Sequence, residues 1–361
     1  MPVPHEHVSC ELLLTNACNL RCGYCIARDL PGPAMTEEVG RKAVDLFVHL
    51  AKGAKSLEVT FTGGEPLLEF PLVQNLTEYA KERACAAAMD VRFVLKTNGT
   101  ILNQAIVSYM RDHCSRVVVS IDGTPKAHDA TRKNIGGRGS HQVVRRNLLR
   151  LLHEGVSCVA SMTILPSLCR AVLQNVRYLH GLGIDQIDVG PAYGTVTWSD
   201  TESTVFAQSL RDIGLYMHEV NATIARLEVG PLYRDSDHID GKLAGCWGCH
   251  AASSNLAFLP TGQIAGCSAL AMLASSVPGL ILGDVFLGVD PDIVAQFIQH
   301  AQADGEDRPK CRACEGTSNC TGGCLAINYS TTRTALTPPD FYCRTISTIE
   351  SAWKLAWGNT C

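Results

Sequence analysis

Between Leu12 and Val189 the chain repeats one unit: a short run of β-branched and apolar residues, a turn, then a longer stretch with helical apolar spacing. The strand-like runs are Leu12–Leu14, Ser56–Thr62, Val91–Lys96, Val117–Ile121, Val156–Leu165 and Ile184–Val189. Helices are expected over Thr36–Lys52, Glu69–Met89, Leu102–His113, His141–His153 and Cys169–Leu182. Thr36 suits an N-cap, with Glu37 and Glu38 in the first turn where the helix dipole favours acids. Strands alternating with helices demand a parallel sheet with right-handed crossovers. Six units are too few to close an ordinary eight-stranded barrel. The expected fold class is therefore α/β, a partial (βα)6 TIM-like barrel over residues 1–192, open on one side to a large substrate.

Functional groups in such sheets gather at the C-terminal ends of the strands. The first strand runs into Leu14-Thr15-Asn16-Ala17-Cys18-Asn19-Leu20-Arg21-Cys22-Gly23-Tyr24-Cys25. Three thiols thus share one loop. A cubane iron–sulfur cluster normally takes four cysteines; three without a near fourth would leave one iron open for a ligand. The same spacing also suits a zinc loop. The second strand ends in Thr62-Gly63-Gly64-Glu65-Pro66, where glycines let backbone approach a ligand and Glu65 can accept from an ammonium group; the plain alternative is a tight strand-to-helix turn. The third ends in Lys96-Thr97-Asn98-Gly99-Thr100, and the fourth in Ser120-Ile121-Asp122-Gly123, followed by His128-Asp129 and Arg132. Asn98-Gly99 and Asp122-Gly123 also read as routine turns.

Cys18-x3-Cys22-x2-Cys25, with aromatic Tyr24 before the last cysteine, resembles the signature of the radical S-adenosylmethionine (SAM) superfamily. The GGEP, TNG and SxDG…HDxxR segments resemble its peptide-modifying branch. The resemblance implies a [4Fe–4S] cluster on Cys18, Cys22 and Cys25, and SAM contacts from Tyr24, Gly63, Gly64, Glu65, Asn98, Ser120, Asp122 and Arg132. Glu65 would meet the SAM amino group, Ser120 and Asp122 its ribose or carboxylate, and Arg132 the carboxylate. Gly190-Pro191 would border the adenine.

The alternation stops at residues 193–242. A helix is expected over Ser203–Leu227, with Ile213, Tyr216, Met217, Val220 and Ile224 near one face as packing, then a polar loop over Gly230–Gly241. Over 243–361 cysteines gather again: Cys246, Cys249, Cys267, Cys311, Cys314, Cys320, Cys324 and Cys343. Twelve residues separate Cys249 from Gly262, which opens a G-x4-C motif; C-x2-C-x5-C-x3-C follows, then a last cysteine. This is similar to the SPASM domain. By that resemblance Cys246, Cys249, Cys267 and Cys324 would hold one auxiliary [4Fe–4S] cluster, and Cys311, Cys314, Cys320 and Cys343 another, three clusters in all. The CxxC pairs alone would favour zinc. Cys10, Cys85, Cys114, Cys158 and Cys169 read as small buried apolar residues.

A net charge of −4 offers no basic footprint for nucleic acid. No apolar run is long enough to span a membrane, and the N-terminus lacks a signal-peptide core. A cytoplasmic protein is expected, and its seventeen cysteines then point to metal rather than disulfides. The resemblance implies a radical SAM oxidoreductase that cleaves SAM to a 5′-deoxyadenosyl radical and crosslinks or otherwise oxidises a ribosomally made peptide, with a flavodoxin- or ferredoxin-type electron donor. Only 17 residues precede Cys18, so leader recognition is expected from a separate protein, from the barrel itself, or not at all. The alternatives are an anaerobic sulfatase maturase and a dehydrogenase of a small alcohol or sugar. In the sulfatase maturases an Asp follows the G-x4-C cysteine; here Ser268 stands there. Tyr193, His238, His250 and Asp284 are candidate bases.

Overall fold

The structure, a computed structural model, describes residues 6–28, 30, 32–223, 226–233, 250–301, 308–312, 314, 320 and 322–358. Cys246, Cys249 and His238 lie outside them. All six expected strands are present: β1 (His7–Leu13), β2 (Ser56–Thr62), β3 (Asp90–Thr97), β4 (Cys114–Ser120), β5 (Cys158–Ile164) and β6 (Gln186–Pro191), each parallel to the next. Between them run α1 (Glu37–Leu50), α2 (Phe70–Ala86), α3 (Gln104–His113), the short α4 (Pro125–Asp129), α5 (His141–His153) and α6 (Val172–Gly181). Local chemistry sets their ends. Thr36 Oγ1 accepts from Val39 N at 3.2 Å, and Asn103 Oδ1 accepts from Ile106 N at 2.9 Å. The expected helices at Glu69 and Cys169 each open instead as a 3-10 turn after a proline, Pro66–Glu69 and Pro166–Ala171, because proline fixes φ and donates no hydrogen bond.

The sheet does not stop at six strands. The connector helix α7 spans Asp200–Asn221, earlier than the expected Ser203–Leu227. A capping box of Ser199 with Glu202 starts it. At its end Asn221 donates to Leu227 O and accepts from Leu227 N, which turns the chain into β7 (Glu228–Gly230), a strand within the stretch expected as helix end and loop. β7 pairs parallel with β6, and β8 (Asn255–Phe258) pairs parallel with the other side of β1. Beyond β8 come β9 (Gln263–Ala265), α8 (Ser268–Leu273), β10 (Ile281–Asp284) and β11 (Gly288–Val289), whose strands continue the sheet antiparallel. The strand order is β11-β10-β9-β8-β1-β2-β3-β4-β5-β6-β7, an open partial barrel with a C-terminal extension. The last elements are α9 (Pro291–Ala301), α10 (Leu325–Thr332) and α11 (Asp340–Trp357). α11 returns to α7, where Gly214 allows close approach because a Cβ there would strike Ala352 O. Trp353 and Trp357 donate indole N–H groups to Tyr233 O and Leu232 O.

The core lies between sheet and outer helices. Leu12, Val59, Phe61, Leu95 and Val119 face Phe47, Leu76, Val107 and Leu148, all fully buried. Burying each such side chain contributes about 1.5–3 kcal/mol. The alternate residues differ in kind. In register across the strands they include Ser9 and Glu11, Glu58 and Thr60, Arg92 and Lys96, and Arg116. Parallel strands covered on both faces read as continuous apolar runs; these do not, so the inner face is a polar lumen. Of the five cysteines expected to be buried, Cys10, Cys158 and Cys169 are, Cys114 is half-buried, and Cys85 is exposed on α2.

Candidate active site

The three-cysteine loop leaves β1 at the C-terminal rim of the barrel. Three barrel segments hold it. Gly64 N donates to Thr15 O at 2.7 Å and Glu65 N to Ala17 O at 2.9 Å. A Cβ on Gly64 would run into Ala17 O, and Gly63 has φ +126° against Thr15. The two glycines are thus required by the packing of the GGEP turn on the cysteine loop. From β3, Asn98 Nδ2 donates to Asn19 Oδ1 at 2.8 Å and lies 3.7 Å from Cys18 Sγ, while Thr100 Oγ1 accepts from Asn19. From the segment after α4, Lys133 O and Thr131 O accept from Arg21 N and Gly23 N. Leu20 N donates to Cys18 Sγ at 3.4 Å.

Glu65 is held by protein donors at the turn after β2. It is fully buried. Its carboxylate accepts from Leu67 N (3.1 Å), Thr97 Oγ1 (2.8 Å) and Asn98 N (2.7 Å). Burial pushes its pKa up to about 7, against the pull of these three donors. Arg132 has a protein partner as well. It makes a buried bidentate pair with Asp122, 2.8 Å through Nε and 3.1 Å through Nη2. Asp122 accepts in addition from Tyr24 OH at 3.0 Å and Thr163 N at 2.9 Å. The Arg132 guanidinium lies over the Tyr24 ring at 5.3 Å. Its charge therefore answers Asp122, inside the protein, and the set braces the loop between Cys22 and Cys25. Ser120 stands half-buried at the end of β4 on the lumen side. Thr97 and Asn19 fall inside the TNG segment and the cysteine loop without a role of their own there, and Thr163 in β5 carries no signal apart from the fold.

Cys22 lies near enough to Cys18 and Cys25 to feel both thiols. Burial raises its pKa to about 11, Arg132 lowers it, and the Cys25 and Cys18 thiols raise it. A second group meets in the C-terminal part. The Cys311 thiol feels Cys320 and Cys314, and Cys343 feels Cys311 and Cys320. Cys324 and Cys267 instead face Tyr193, whose pKa burial pushes up with both thiols and Glu11 acting the same way. Among the described residues no three His, Cys, Asp or Glu side chains converge closely enough to hold a single metal ion. Of the candidate bases, Tyr193 lies beside these thiols, His250 is exposed, and Asp284 accepts from Phe286 N in the turn after β10.

The lumen holds a cluster that the motifs did not predict. Glu11 accepts from Lys96 Nζ (2.7 Å), Ser268 N (2.7 Å), Ser268 Oγ (2.9 Å) and Asn255 Nδ2 (3.4 Å). Burial alone would raise the Glu11 pKa, but the Lys96 charge and bond and the two Ser268 bonds hold it at about 2. Lys96 is enclosed by protein yet 43% of its side chain is open to solvent, as expected of a group facing a wide lumen. The available signal was charge in the strands, Glu11 in β1 and Lys96 in β3.

The model of the Radical SAM superfamily matches residues 12–171, the span that carries the trio and the motifs ending β1 to β4. Residues 12–171 are thus similar to a radical SAM domain. Such a domain implies SAM and one [4Fe–4S] cluster, and three thiols on one braced loop suit it, with the Leu20 amide and the Asn98 amide group directed at the Cys18 sulfur. A serine-type anaerobic sulfatase-maturating enzyme of Bacteroides thetaiotaomicron is 29% identical over 38% of this chain and 35% of its own. The chain spans 35–60% of the length of the curated relatives it matches first. Among solved structures, native anSMEcpe with bound AdoMet and Cp18Cys peptide shares the fold over 96% of both chains, with TM-score 0.79 and 19% identity. Streptococcus suis SuiB bound to precursor peptide SuiA covers 93% of this chain and 75% of its own, with TM-score 0.63 and 16% identity. No described helix is long and apolar enough to cross a membrane.

Proposed function

We propose that the chain is a peptide-modifying radical SAM oxidoreductase that forms a crosslink or another oxidative modification in a ribosomally made peptide. One observation carries this reading: a polar, solvent-accessible lumen with the cysteine trio at its rim and Tyr193, Cys267 and Cys324 beside the same Glu11 cluster. Peptide-bound neighbours of the same fold support it. Cys18, Cys22 and Cys25 would hold a [4Fe–4S] cluster that, with SAM bound, would supply 5′-deoxyadenosyl radical chemistry. The chain's own residues do the rest. The Gly63-Gly64 turn and Asn98 fix the loop, Asp122 and Arg132 brace Tyr24, and Ser120 lines the ligand side. Cys246, Cys249, Cys267 and Cys324 would hold one auxiliary [4Fe–4S] cluster, and Cys311, Cys314, Cys320 and Cys343 a second. The mutual influence of the last four thiols supports that second set. Electrons would come from an external flavodoxin- or ferredoxin-type donor. Fixing the substrate within the lumen is how such a site would orient one C–H bond.

The test is anaerobic co-expression with short peptides encoded beside the gene. The expected result is 5′-deoxyadenosine together with a peptide that has lost hydrogens. 5′-Deoxyadenosine without any altered peptide, but with an oxidised alcohol or sugar, would select the dehydrogenase reading. A sulfatase maturase remains the second reading, because Glu11 brings a carboxylate within hydrogen-bonding distance of Ser268. Conversion of a sulfatase-derived Ser or Cys peptide to formylglycine would select it.

A further inference from the structure

Several exposed cations of this protein sit beside an acid: Arg41 pairs with Glu37, Lys81 with Glu78, Arg111 with Asp112 and Lys354 with Glu350. One corner differs. The stretch from Lys126 to His153 carries seven lysines and arginines and a single acid, Asp129, in a chain whose net charge is −4. Asp129 is occupied by backbone, accepting from His141 N at 2.8 Å. Arg132 is buried on Asp122. Lys133, Arg138, Arg145 and Arg146 are exposed, and none of them has an ion-pair partner among the described residues.

The place of these charges points to their use. Residues 133–139 form a small hairpin: Lys133 bridges Gly139, Asn134 N donates to Arg138 O at 2.8 Å, and Asn134 Oδ1 accepts from Arg138 N at 3.0 Å. The hairpin is bonded to the cysteine loop. Asn134 bridges Leu20, and Lys133 O accepts from Arg21 N at 2.7 Å. Arg21 adds an exposed guanidinium that folds back on Cys18 O and Leu20 O. On the hairpin Ile135 is 69% exposed. An apolar side chain among unpaired cations thus stands against the loop that carries Cys18, Cys22 and Cys25.

We propose that this hairpin, with Arg21 and Arg145, is the docking surface for a small acidic flavodoxin-type protein that reduces the cluster on Cys18, Cys22 and Cys25. The inference rests on the reading of that trio as a cluster site served by an external donor. Opposite charge steers such encounters and sets their orientation. Redox contacts are small and transient, so a few charges around one apolar contact suffice. A flavodoxin matches both features, because the apolar edge of its flavin is exposed within an acidic surface. At the step itself the anionic flavin hydroquinone loses one electron and becomes the neutral semiquinone. The cluster gains that electron, and no proton moves.

The experiment uses the anaerobically reconstituted full chain and a purified acidic flavodoxin, with two readouts: affinity for oxidised flavodoxin by isothermal titration, and the rate of cluster reduction by flavodoxin hydroquinone in stopped flow. Wild-type affinity should fall steeply as salt screens the charges. Lys133→Glu combined with Arg138→Glu should weaken binding about tenfold at low salt and slow reduction by a similar factor. Ile135→Ser should weaken binding with the salt dependence kept. Lys52→Glu, at an exposed cation in the turn after α1 on the opposite rim, should change neither readout. Reduced methyl viologen, a small cation that needs no docking surface, should reduce all these proteins equally fast. Unchanged flavodoxin affinity in the charge-reversed variant would overturn the inference, as would an equal loss in Lys52→Glu or an equal loss with viologen. A wild-type enzyme that viologen reduces but flavodoxin neither binds nor reduces would overturn the docking surface alone. Absence of iron from the Cys18, Cys22 and Cys25 site in the wild type would overturn it together with the reading beneath it.

Discussion

The cysteines at the start of the chain and those near its end offer the same ligand atom but are held in opposite ways. Cys18, Cys22 and Cys25 sit on a loop tied to β2, β3 and the 131–134 segment by bonds that exist without metal. Around Cys311, Cys314, Cys320 and Cys343 the described residues include Arg308 and Asn328, which hold two carbonyls, and Lys310, paired with Asp340 at 2.6 Å. The first loop is braced by the barrel; at the second, the cluster proposed above would add to the order that these contacts give. Metal bound only by the folded state is folding energy.

Chelation gives the largest effect. Structural metal sites contribute on the order of 10 kcal/mol. Iron removal should therefore erase hydrogen-exchange protection over α10 and the residues from 308 onward, while amides of β1 to β4 keep theirs. Equal loss in both regions would break the contrast. Next in size is Asp122→Asn. It leaves Arg132 buried without its carboxylate and turns an amide toward a guanidinium. Breaking a buried pair from one side costs about 3–5 kcal/mol, here read from urea unfolding of the metal-free barrel. A cost below about 1 kcal/mol would mean that the Tyr24–Asp122–Arg132 set does not brace the loop.

Much of the barrel was legible because its helical and strand periods are strong and its caps are local. Thr36, β2 from Ser56 to Thr62 and α5 from His141 to His153 fall where the residues place them. β7 was not legible, since three residues carry too little pattern to compete with the loop chemistry around them. β8 joins β1 across more than 240 residues of sequence, a pairing that no local window can contain. At the site, the spacing placed the three cysteines on one loop at the end of the first strand. It carried no sign of the protein partners of Arg132 and Glu65, which are buried against Asp122 and against Leu67, Thr97 and Asn98. Glu11, Lys96 and Ser268 have no motif, and only the fold brings them together.

Glu11 also links the two regions, and this gives an intermediate effect. Its folded pKa, about 2, lies below its unfolded value of about 4.5. A depressed carboxylate contributes stability that is complete above the unfolded pKa and lost as pH falls through the folded one. The contribution, on the order of 2–3 kcal/mol, should therefore be present at pH 5 and above and disappear between about pH 4.5 and 2. Glu11→Gln should flatten that part of the stability curve in thermal unfolding. An unchanged acid limb would show that Ser268 and β1 do not depend on this carboxylate.

The smallest expected effect tests the C-terminal side directly. Arg308 is fully buried and donates through Nη1 to Gly322 O at 3.2 Å and Ala335 O at 3.1 Å. Asn328 Nδ2 donates to the same two carbonyls at 3.0 and 2.9 Å. Gly322 and Gly323 both have positive φ, and a Cβ on Gly322 would collide with the guanidinium. The loop between Cys320 and Cys324 is thus shaped around this side chain. Arg308→Met removes one of two donors from each carbonyl and leaves Asn328 to serve both, so the loss should be near the low end of a broken buried hydrogen bond, about 1 kcal/mol. Thermal unfolding of the iron-loaded enzyme should show that small shift, while Arg308→Met with Asn328→Leu, which strips both carbonyls, should cost clearly more than the two single changes added. Simple additivity would mean that the two side chains do not share these carbonyls in solution, and that the C-terminal loop takes its shape from metal alone.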